Sequence, residues 1–422
     1  MPNNRKEDFI VGIDVGTSKV ATLVAQKNSS GDEKLNQSFD IIGVGLSANG
    51  SMRKGTVVDL EDTISSISAS LEEAERMSGI PIERAIVALG GDHITGTNST
   101  GVIAISGENG EVTQTDVDRV IEATKAISQP TNREMLHIIP RLYTIDGQGG
   151  IKDPLGLTGI RLEIDAHVIA GSTPAIKNLT KCVYQAGVDI EDLVYSGLAA
   201  TYSMTSKKQK EIGVALIDIG AGTTDVVIIE EGEVLHSATI PLGSANITND
   251  VAIGLKTSIP VAEAVKIKHG SCLPDAVSEH ERIDLSEFDA KENQEASHRY
   301  LAEIIEARMS EILLLVKEEL KQVNRDGMLP AGAVFVGGGA KLRDLVGLAK
   351  ETLRLPSALG TPSIELTGFV DKVTDPSYAA AIGILIYGLE HSSGGRVSFN
   401  PAATAVSGAP GKIKDWFKQF IP

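Results

Sequence analysis

Two short stretches of the chain combine the residue types that handle anions and cations together. From Glu211 the sequence reads EIGVALIDIGAGTTDVVIIE. An apolar run, Val214 to Ile217, ends on Asp218. A loop of small residues follows, Gly220, Ala221, Gly222, Thr223, Thr224 and Asp225, and a second apolar run spans Val226 to Ile229. Glycines let backbone N–H groups approach an anion, the threonines add hydroxyl donors, and Asp218 and Asp225 offer carboxylates to a hydrated divalent cation. Both runs have strand length and are rich in β-branched residues, so the unit reads as a hairpin with a Gly- and hydroxyl-bearing tip. It differs from the dinucleotide fingerprint, whose glycines open a helix. Taken alone it could equally be an ordinary Gly-rich hairpin.

An echo stands 204 positions earlier in this chain of 422 residues. Phe9 to Ala25 reads FIVGIDVGTSKVATLVA: an apolar run, Asp14, the small residues Gly16, Thr17 and Ser18, then Lys19 and a second apolar run. Ile13-Asp14-Val15-Gly16 aligns with Ile217-Asp218-Ile219-Gly220. Two such units predict a duplicated fold whose loops face each other across a cleft.

The elements that must position these loops follow in order. Ile41–Leu46 reads as a third strand, and Thr63–Ser78 as a helix with Ile64, Ile67, Leu71, Ala74 and Met77 on one face, capped by Asp62 and ended by Gly79. These elements complete a ribonuclease-H-like half. Residues 84–165 carry their own β/α/β content, with strands at Ala85–Leu89, Val102–Ile105, Glu134–Ile145 and Arg161–Ile169 and a helix at Thr115–Ser128. They read as a small inserted unit. Ser196–Tyr202, SGLAATY, suits close helix packing beside the cleft. Gly243–Ser244 opens a helix, and Pro260–Lys268 is a short helix with Glu263 and Lys266 three apart, which could be a solvated ion pair. Ser297–Val323 is a long amphipathic helix. AVFVGGGAKL is a buried strand followed by Gly337, Gly338 and Gly339, bare backbone against which a flat group can lie. Asp375–Gly388 is a helix whose small face, Ala379, Ala380, Ala381 and Gly383, suits packing on SGLAATY.

Composition narrows the function classes. A net charge of −17 excludes a general nucleic-acid binder. Two cysteines, Cys182 and Cys272, supply neither a disulfide framework nor zinc-site spacing, so a reducing compartment is expected. The N-terminus lacks an apolar segment of signal-peptide length, and no run of about 18 apolar residues is present.

The far end has a different character. A Gly/Ser/Ala/Pro stretch over 391–410 reads as a flexible linker, and GKIKDWFKQFIP follows over 411–422. Ile413, Trp416, Phe417, Phe420 and Ile421 fall at i, i+3, i+4, i+7 and i+8, a complete apolar helical face, with Lys412, Lys414 and Lys418 beside it. An aromatic and lysine-bearing amphipathic helix on a tether predicts an interfacial membrane anchor. Docking on the chain's own body or in a partner groove is the competing possibility.

Five pieces stand in order: Asp14–Lys19, Ser196–Ala200, Asp218–Asp225, Gly337–Gly339 and Ala379–Gly383. The series resembles the actin, heat-shock-chaperone and sugar-kinase ATPase superfamily, over most of the chain. Within it, the inserted unit, the SGLAATYS form, PVAEAVKIKHG and the C-terminal segment resemble the FtsA family of bacterial cell-division proteins. The resemblance implies an α/β fold: a duplicated ribonuclease-H-like (actin-like) two-lobed ATPase with a small inserted α+β subdomain and a C-terminal amphipathic helix. Lobe I would comprise 1–83, 166–205 and 372–390, the inserted subdomain 84–165, the lobe II core 206–243 and 327–371, and the lobe II outer subdomain 244–326.

The resemblance further implies ATP with Mg2+ between the lobes. Gly16, Thr17, Ser18 and Lys19 would meet the phosphates from one side and Gly220, Gly222, Thr223 and Thr224 from the other. Asp14 and Asp218 would hold the metal through water, Glu263 and Lys266 would contact ribose or adenine, Gly337–Gly339 would lie along the base, and Gly243 would approach the nucleotide. Chaperone and bacterial actin members of the superfamily often carry a glutamate where this chain has Ser196 and Gly197, so at most slow hydrolysis is expected. The implied partners are FtsZ, further copies of the chain in an actin-like filament, inner-membrane phospholipid and other division proteins. The implied place is the cytoplasmic face of the inner membrane at the division site. A pilus platform protein of the PilM kind and a small-molecule kinase of the same superfamily are the alternatives.

Overall fold

The structure, a computed structural model, describes residues 9–27, 39–128, 132–364, 366–369 and 373–392. The expected C-terminal helix and nearly all of the linker therefore lie outside the described residues.

The chain begins with β1 (Phe9–Val15), β2 (Lys19–Lys27) and β3 (Phe39–Ala48), then a small ribbon of β4 (Met52–Arg53) and β5 (Thr56–Val57), α1 (Leu60–Ser78) and β6 (Arg84–Leu89). An inserted unit follows: β7 (Thr95–Ala104), α2 (Gln114–Ser128), β8 (Arg133–Ile145), β9 (Gln148–Ile151) and β10 (Arg161–Ser172). Then come α3 (Thr173–Gln185), β11 (Asp189–Tyr195), α4 (Ser196–Met204) and α5 (Lys207–Ile212). The second half holds β12 (Val214–Ile219), β13 (Thr224–Glu230), β14 (Glu233–Ile240), α6 (Ser244–Leu255) and α7 (Ile259–His269). It continues with β15 (Arg282–Asp284), β16 (Glu295–Ser297), α8 (His298–Gln322), β17 (Ala333–Val336), α9 (Leu345–Leu353) and β18 (Ser357–Leu359). The tiny β19 (Thr367–Gly368) and α10 (Ala379–Ser392) close the described chain.

The duplication is visible in strand order. One sheet runs β11-β6-β1-β2-β3 and the other β18-β17-β12-β13-β14. In both, the central hairpin is antiparallel and the two following strands join parallel to its first strand. Parallel strands need helical crossovers, which cover the sheet faces. In β12, Val214 and Leu216 face the core of lobe I, while Ala215, Ile217 and Ile219 face a second core beneath α6, α7 and α8. Burial on both faces is why this stretch reads as continuously apolar.

The structure moves several boundaries. The cap of α1 is Asp59, whose carboxylate accepts from the Asp62 N–H at 3.1 Å, so the helix starts three residues before Thr63. Strand β6, expected in the inserted unit, pairs with β1 in the first sheet (Gly12 with Ile86). The insert therefore begins beyond Leu89, and β10 carries it on through Ser172 rather than 165. Thr367–Gly368 pairs with Asp40–Ile41, so the chain has returned to the first sheet before residue 371. The final helix begins at Ala379 after a tight turn at Pro376–Tyr378 and runs through Ser392, past the expected linker start.

The insert has its own core, including Val112, Val120, Leu162 and Ile164. It joins the second sheet through the single pair Ala238–Thr95. Its α2 is pinned by Asp116, which is fully buried. Ser106 donates to it from N at 3.0 Å and Oγ at 2.7 Å, and Thr113 from N at 3.1 Å and Oγ1 at 2.7 Å. Burial opposes ionisation, but these hydrogen bonds outweigh it and hold the carboxyl well below the usual range. Such a group stabilises the fold above the ordinary carboxylate pKa, and the contribution is lost as pH falls. Asp116→Asn is therefore expected to cost about 1–3 kcal/mol near neutrality, with the difference from wild type shrinking below about pH 4. Urea titrations at several pH values check this, and an equal midpoint at neutral pH contradicts it.

Candidate functional site

The two hairpin tips have the same geometry. Gly16 N donates to Lys19 O at 2.9 Å, and Gly220 N donates to Thr223 O at 2.9 Å. Each tip thus closes a four-residue loop with its small residues outward. The loops face each other: a side chain on Gly222 would meet Thr17 Oγ1 and the Lys54 backbone at 3.0 Å. Thr17 Oγ1 in turn accepts from Gly55 N at 3.1 Å.

Between them lies a cleft of about 740 Å³. Of the residues singled out from sequence, Asp14, Gly16, Thr17, Ser18, Lys19, Asp218, Gly220, Thr223, Glu263, Lys266 and Gly337–Gly339 all line it. Three do not. Thr224 is fully buried in β13 and its hydroxyl donates to Leu242 O at 2.9 Å, since the strand's alternation turns it into lobe II. Gly222 packs on Thr17 and Lys54, and Gly243 lies against the loop itself, where an added Cβ would be 2.5 Å from Ala221 O.

Three aspartates converge at the floor. Asp14 and Asp218 end the first strands of their hairpins, and Asp225 lies opposite Asp218 in the β12–β13 register. Asp14 and Asp218 keep part of their surface open to the cleft while lying deep in the protein. Burial pushes Asp218 up to about 8, helped by the charges of Asp225 and Asp14. Burial also raises Asp14 and Asp225 to about 6, with Lys19 opposing the rise at Asp14. A cluster of carboxylates with so little compensating charge suits a cation. Among the described residues, no three His, Cys, Asp or Glu side chains stand close enough to ligate one ion directly. This donor set fits Mg2+, which keeps several waters and takes one or two protein carboxylates.

Lys19 brings the positive charge. Its ammonium donates to Ser377 O at 2.7 Å and Oγ at 2.9 Å, and lies 4.3 Å from the Tyr378 ring centre. Burial lowers its pKa, against the pull of Asp14, Asp375 and Asp218.

On the other wall, Lys266 is only 5% exposed, so its pairing with Glu263 at 2.6 Å is not the solvated surface pair that sequence left open. Its ammonium also donates to Thr248 Oγ1 at 2.8 Å and Ser244 O at 3.2 Å, tying α7 to the start of α6. The Glu263 side chain remains 43% exposed in the cleft. Gly337 has φ +86°, and an added Cβ would stand 2.2 Å from Asp218 Oδ1, so only glycine serves there.

The structure adds residues that the motifs did not single out: Gly90, Ser244, Lys341, Arg343 and Ser377 also line the cleft. Gly90, Arg343 and Ser377 carry no signal of their own in the sequence, whereas Ser244 and Lys341 stand beside Gly243 and the Gly337–Gly339 run. Ser196 lines it as well, and Gly197 admits the buried Tyr195 ring, which an added Cβ would meet at 2.9 Å. Tyr195 is held by its N–H, which donates to His137 Nε2 at 3.0 Å. Burial pushes that histidine down to about 4, so this nitrogen is free to accept.

Residues 215–383 match the family model of cell division protein FtsA, and residues 91–170 match that of the SHS2 domain inserted in FtsA. The chain is 37% identical over 387 residues to cell division protein FtsA of Pseudomonas aeruginosa, covering 92% of this chain and 91% of that protein. It is 34% identical over 419 residues to the protein of that name from Escherichia coli K12, covering 98% and 96%. Among solved structures it is similar to the PilM-PilN type IV pilus biogenesis complex (TM-score 0.65, 16% identity, 90% of this chain and 98% of that one). It is also similar to MreB5 of Spiroplasma citri bound to ADP (TM-score 0.51, 16% identity, 91% and 97%). These two likenesses establish the fold, a duplicated actin-like one. The identity over nearly the whole length does more: the chain belongs to the cell division protein FtsA family.

Proposed function

We propose that this chain is an ATP-binding, actin-like division protein that polymerises on the cytoplasmic face of the inner membrane, at the division site. There it tethers FtsZ filaments and recruits other division proteins. The observation that carries the nucleotide part is the pair of matched loops closing on Asp14, Asp218, Asp225 and Lys19 in a single cleft. Bound ATP with Mg2+ would bring phosphate anions and a hydrated cation to these donors and carboxylates. Gly16–Lys19 and Gly220–Thr223 offer N–H, hydroxyl and ammonium donors to phosphates, and Asp14 and Asp218 hold the hydrated cation. Glu263 orients the sugar or base from α7, and Gly337–Gly339 give a flat wall. Family membership supports this reading over a small-molecule kinase or a pilus platform protein.

Slow turnover fits the cleft. Ser196 and Gly197 offer neither carboxylate nor amide to orient a water, and Tyr195 fills the space a longer side chain at 197 would need. Steady-state hydrolysis well below about 1 per second is expected, and several per second would contradict it.

The membrane part rests on residues 411–422. Five large apolar side chains, fully buried, supply at most about 7–15 kcal/mol. An interfacial helix buries only part of each and must also order itself. One tail is thus a reversible anchor, and many tails on one filament bind firmly through effective concentration. Lys412, Lys414 and Lys418 offset the repulsion between an acidic body and anionic lipid. Among the described residues no helix is long and apolar enough to cross a membrane. Deleting 411–422 is expected to abolish co-sedimentation with anionic liposomes while leaving nucleotide binding intact; undiminished sedimentation removes the anchor. Electron microscopy on lipid monolayers, with and without ATP, tests polymerisation. The FtsZ contact belongs on the lobe II outer subdomain, roughly 244–326.

A further inference from the structure

The partner of Lys19 comes from 358 positions away. Two of its three ammonium N–H groups are taken by the carbonyl and hydroxyl oxygens of Ser377, and the Tyr378 ring lies beside it. Both acceptors are neutral, so they orient the ammonium without cancelling its charge.

The turn that presents them is anchored in lobe II. Gly337 N donates to Pro376 O at 3.0 Å, Asp375 accepts from Ser377 N at 2.9 Å, and Lys341 pairs with Asp375. Directly after it, α10 packs into the core of lobe I. The Asp375–Tyr378 turn is therefore a crossing between lobes that also grips the cleft's lysine.

We infer that Ser377 is a positioning residue for the nucleotide cleft: it holds the Lys19 ammonium in the cleft lining, where among the described residues Ser377 supplies both of its hydrogen-bond acceptors. A free lysine side chain carries one of the largest rotamer entropies, and an anion that must order it binds more weakly than one that meets it already ordered. The inference rests on the nucleotide reading above, since the anion is taken to be its phosphates.

The test is calorimetric titration of the full chain with Mg·ATP and, separately, with adenosine. Ser377→Ala, which keeps the carbonyl and loses the hydroxyl, is expected to bind Mg·ATP about three- to tenfold more weakly, with adenosine affinity unchanged. Ser377→Thr restores the wild-type value. A merely structural role weakens both ligands together and overturns the assignment, as does tighter Mg·ATP binding or failure of the threonine to rescue. A readout without nucleotide is the acylation rate of the Lys19 amine, followed by mass spectrometry. It should rise in Ser377→Ala, because a lost acceptor favours the neutral amine, and equal rates overturn the assignment. Wild-type protein that binds neither ligand overturns the nucleotide reading. Wild type that binds while Ser377→Ala binds equally overturns the Ser377 assignment alone.

Discussion

Gly383→Val is expected to leave little soluble folded protein. Gly383 sits in α10 where a Cβ would lie 1.8 Å from Ala199 O and 2.4 Å from Ala199 C, in the backbone of α4. The obstacle is main chain, which cannot change rotamer. The two helices would have to separate, and both are embedded in the lobe I core through Leu198, Ala199, Ala200, Ile382 and Ile384. Ordinary overpacking costs about 1–3 kcal/mol; prying apart two buried helices exceeds that. The total stability of a domain is about 5–15 kcal/mol. Gly338→Ala is the control, because nothing stands within 4 Å of its added Cβ. Soluble yield and thermal melting of the two variants check the prediction. A Gly383→Val protein melting within a few degrees of wild type contradicts the close approach.

Asp218→Asn is expected to have two effects of opposite sign. Mg2+-dependent nucleotide binding should fall at least about 100-fold, since one of two carboxylates facing the cation is lost. The protein without nucleotide should become more stable near neutral pH, by about 1–2 kcal/mol, because a carboxyl pushed up to about 8 must take up a proton on folding and asparagine need not. Asparagine is the informative replacement: Gly337 lies close against this carboxyl, and an isostere fits without repacking. Equilibrium titration with and without Mg2+ measures the first effect and denaturant unfolding the second. Undiminished Mg2+-dependent affinity would remove Asp218 from the cation site, and a destabilised variant would show that the carboxylate is satisfied by a partner.

The features of the fold legible from sequence were those written in contiguous residues. Each hairpin, with its strand, aspartate and glycine tip, is a local unit whose chemistry and conformation share about a dozen positions. Periodicity placed the packing of α10 on α4, because small residues on both helices permit only close contact. The errors arose where partners are distant. Apolar content alone could not tell that Arg84–Leu89 joins β1 rather than the insert, since strand pairing is a long-range choice. Thr224 was read as a phosphate ligand from its place in the tip, yet the pleat turns its hydroxyl to Leu242. Asp59 outcompeted Asp62 as helix cap because α1 begins earlier than its apolar face.

The amino-acid order by itself determined that two aspartate-bearing loops exist, that they are related, and that they belong to a fold built twice. Each is encoded by neighbours whose strand propensity and turn chemistry act within a few residues. Only the tertiary structure decided how the cleft is closed: that Lys266 is buried, and that Ser377 from the far end of the chain holds Lys19. Those are contacts between surfaces, and they form only when helices with no sequence relation to the loops bury their apolar faces between the two sheets.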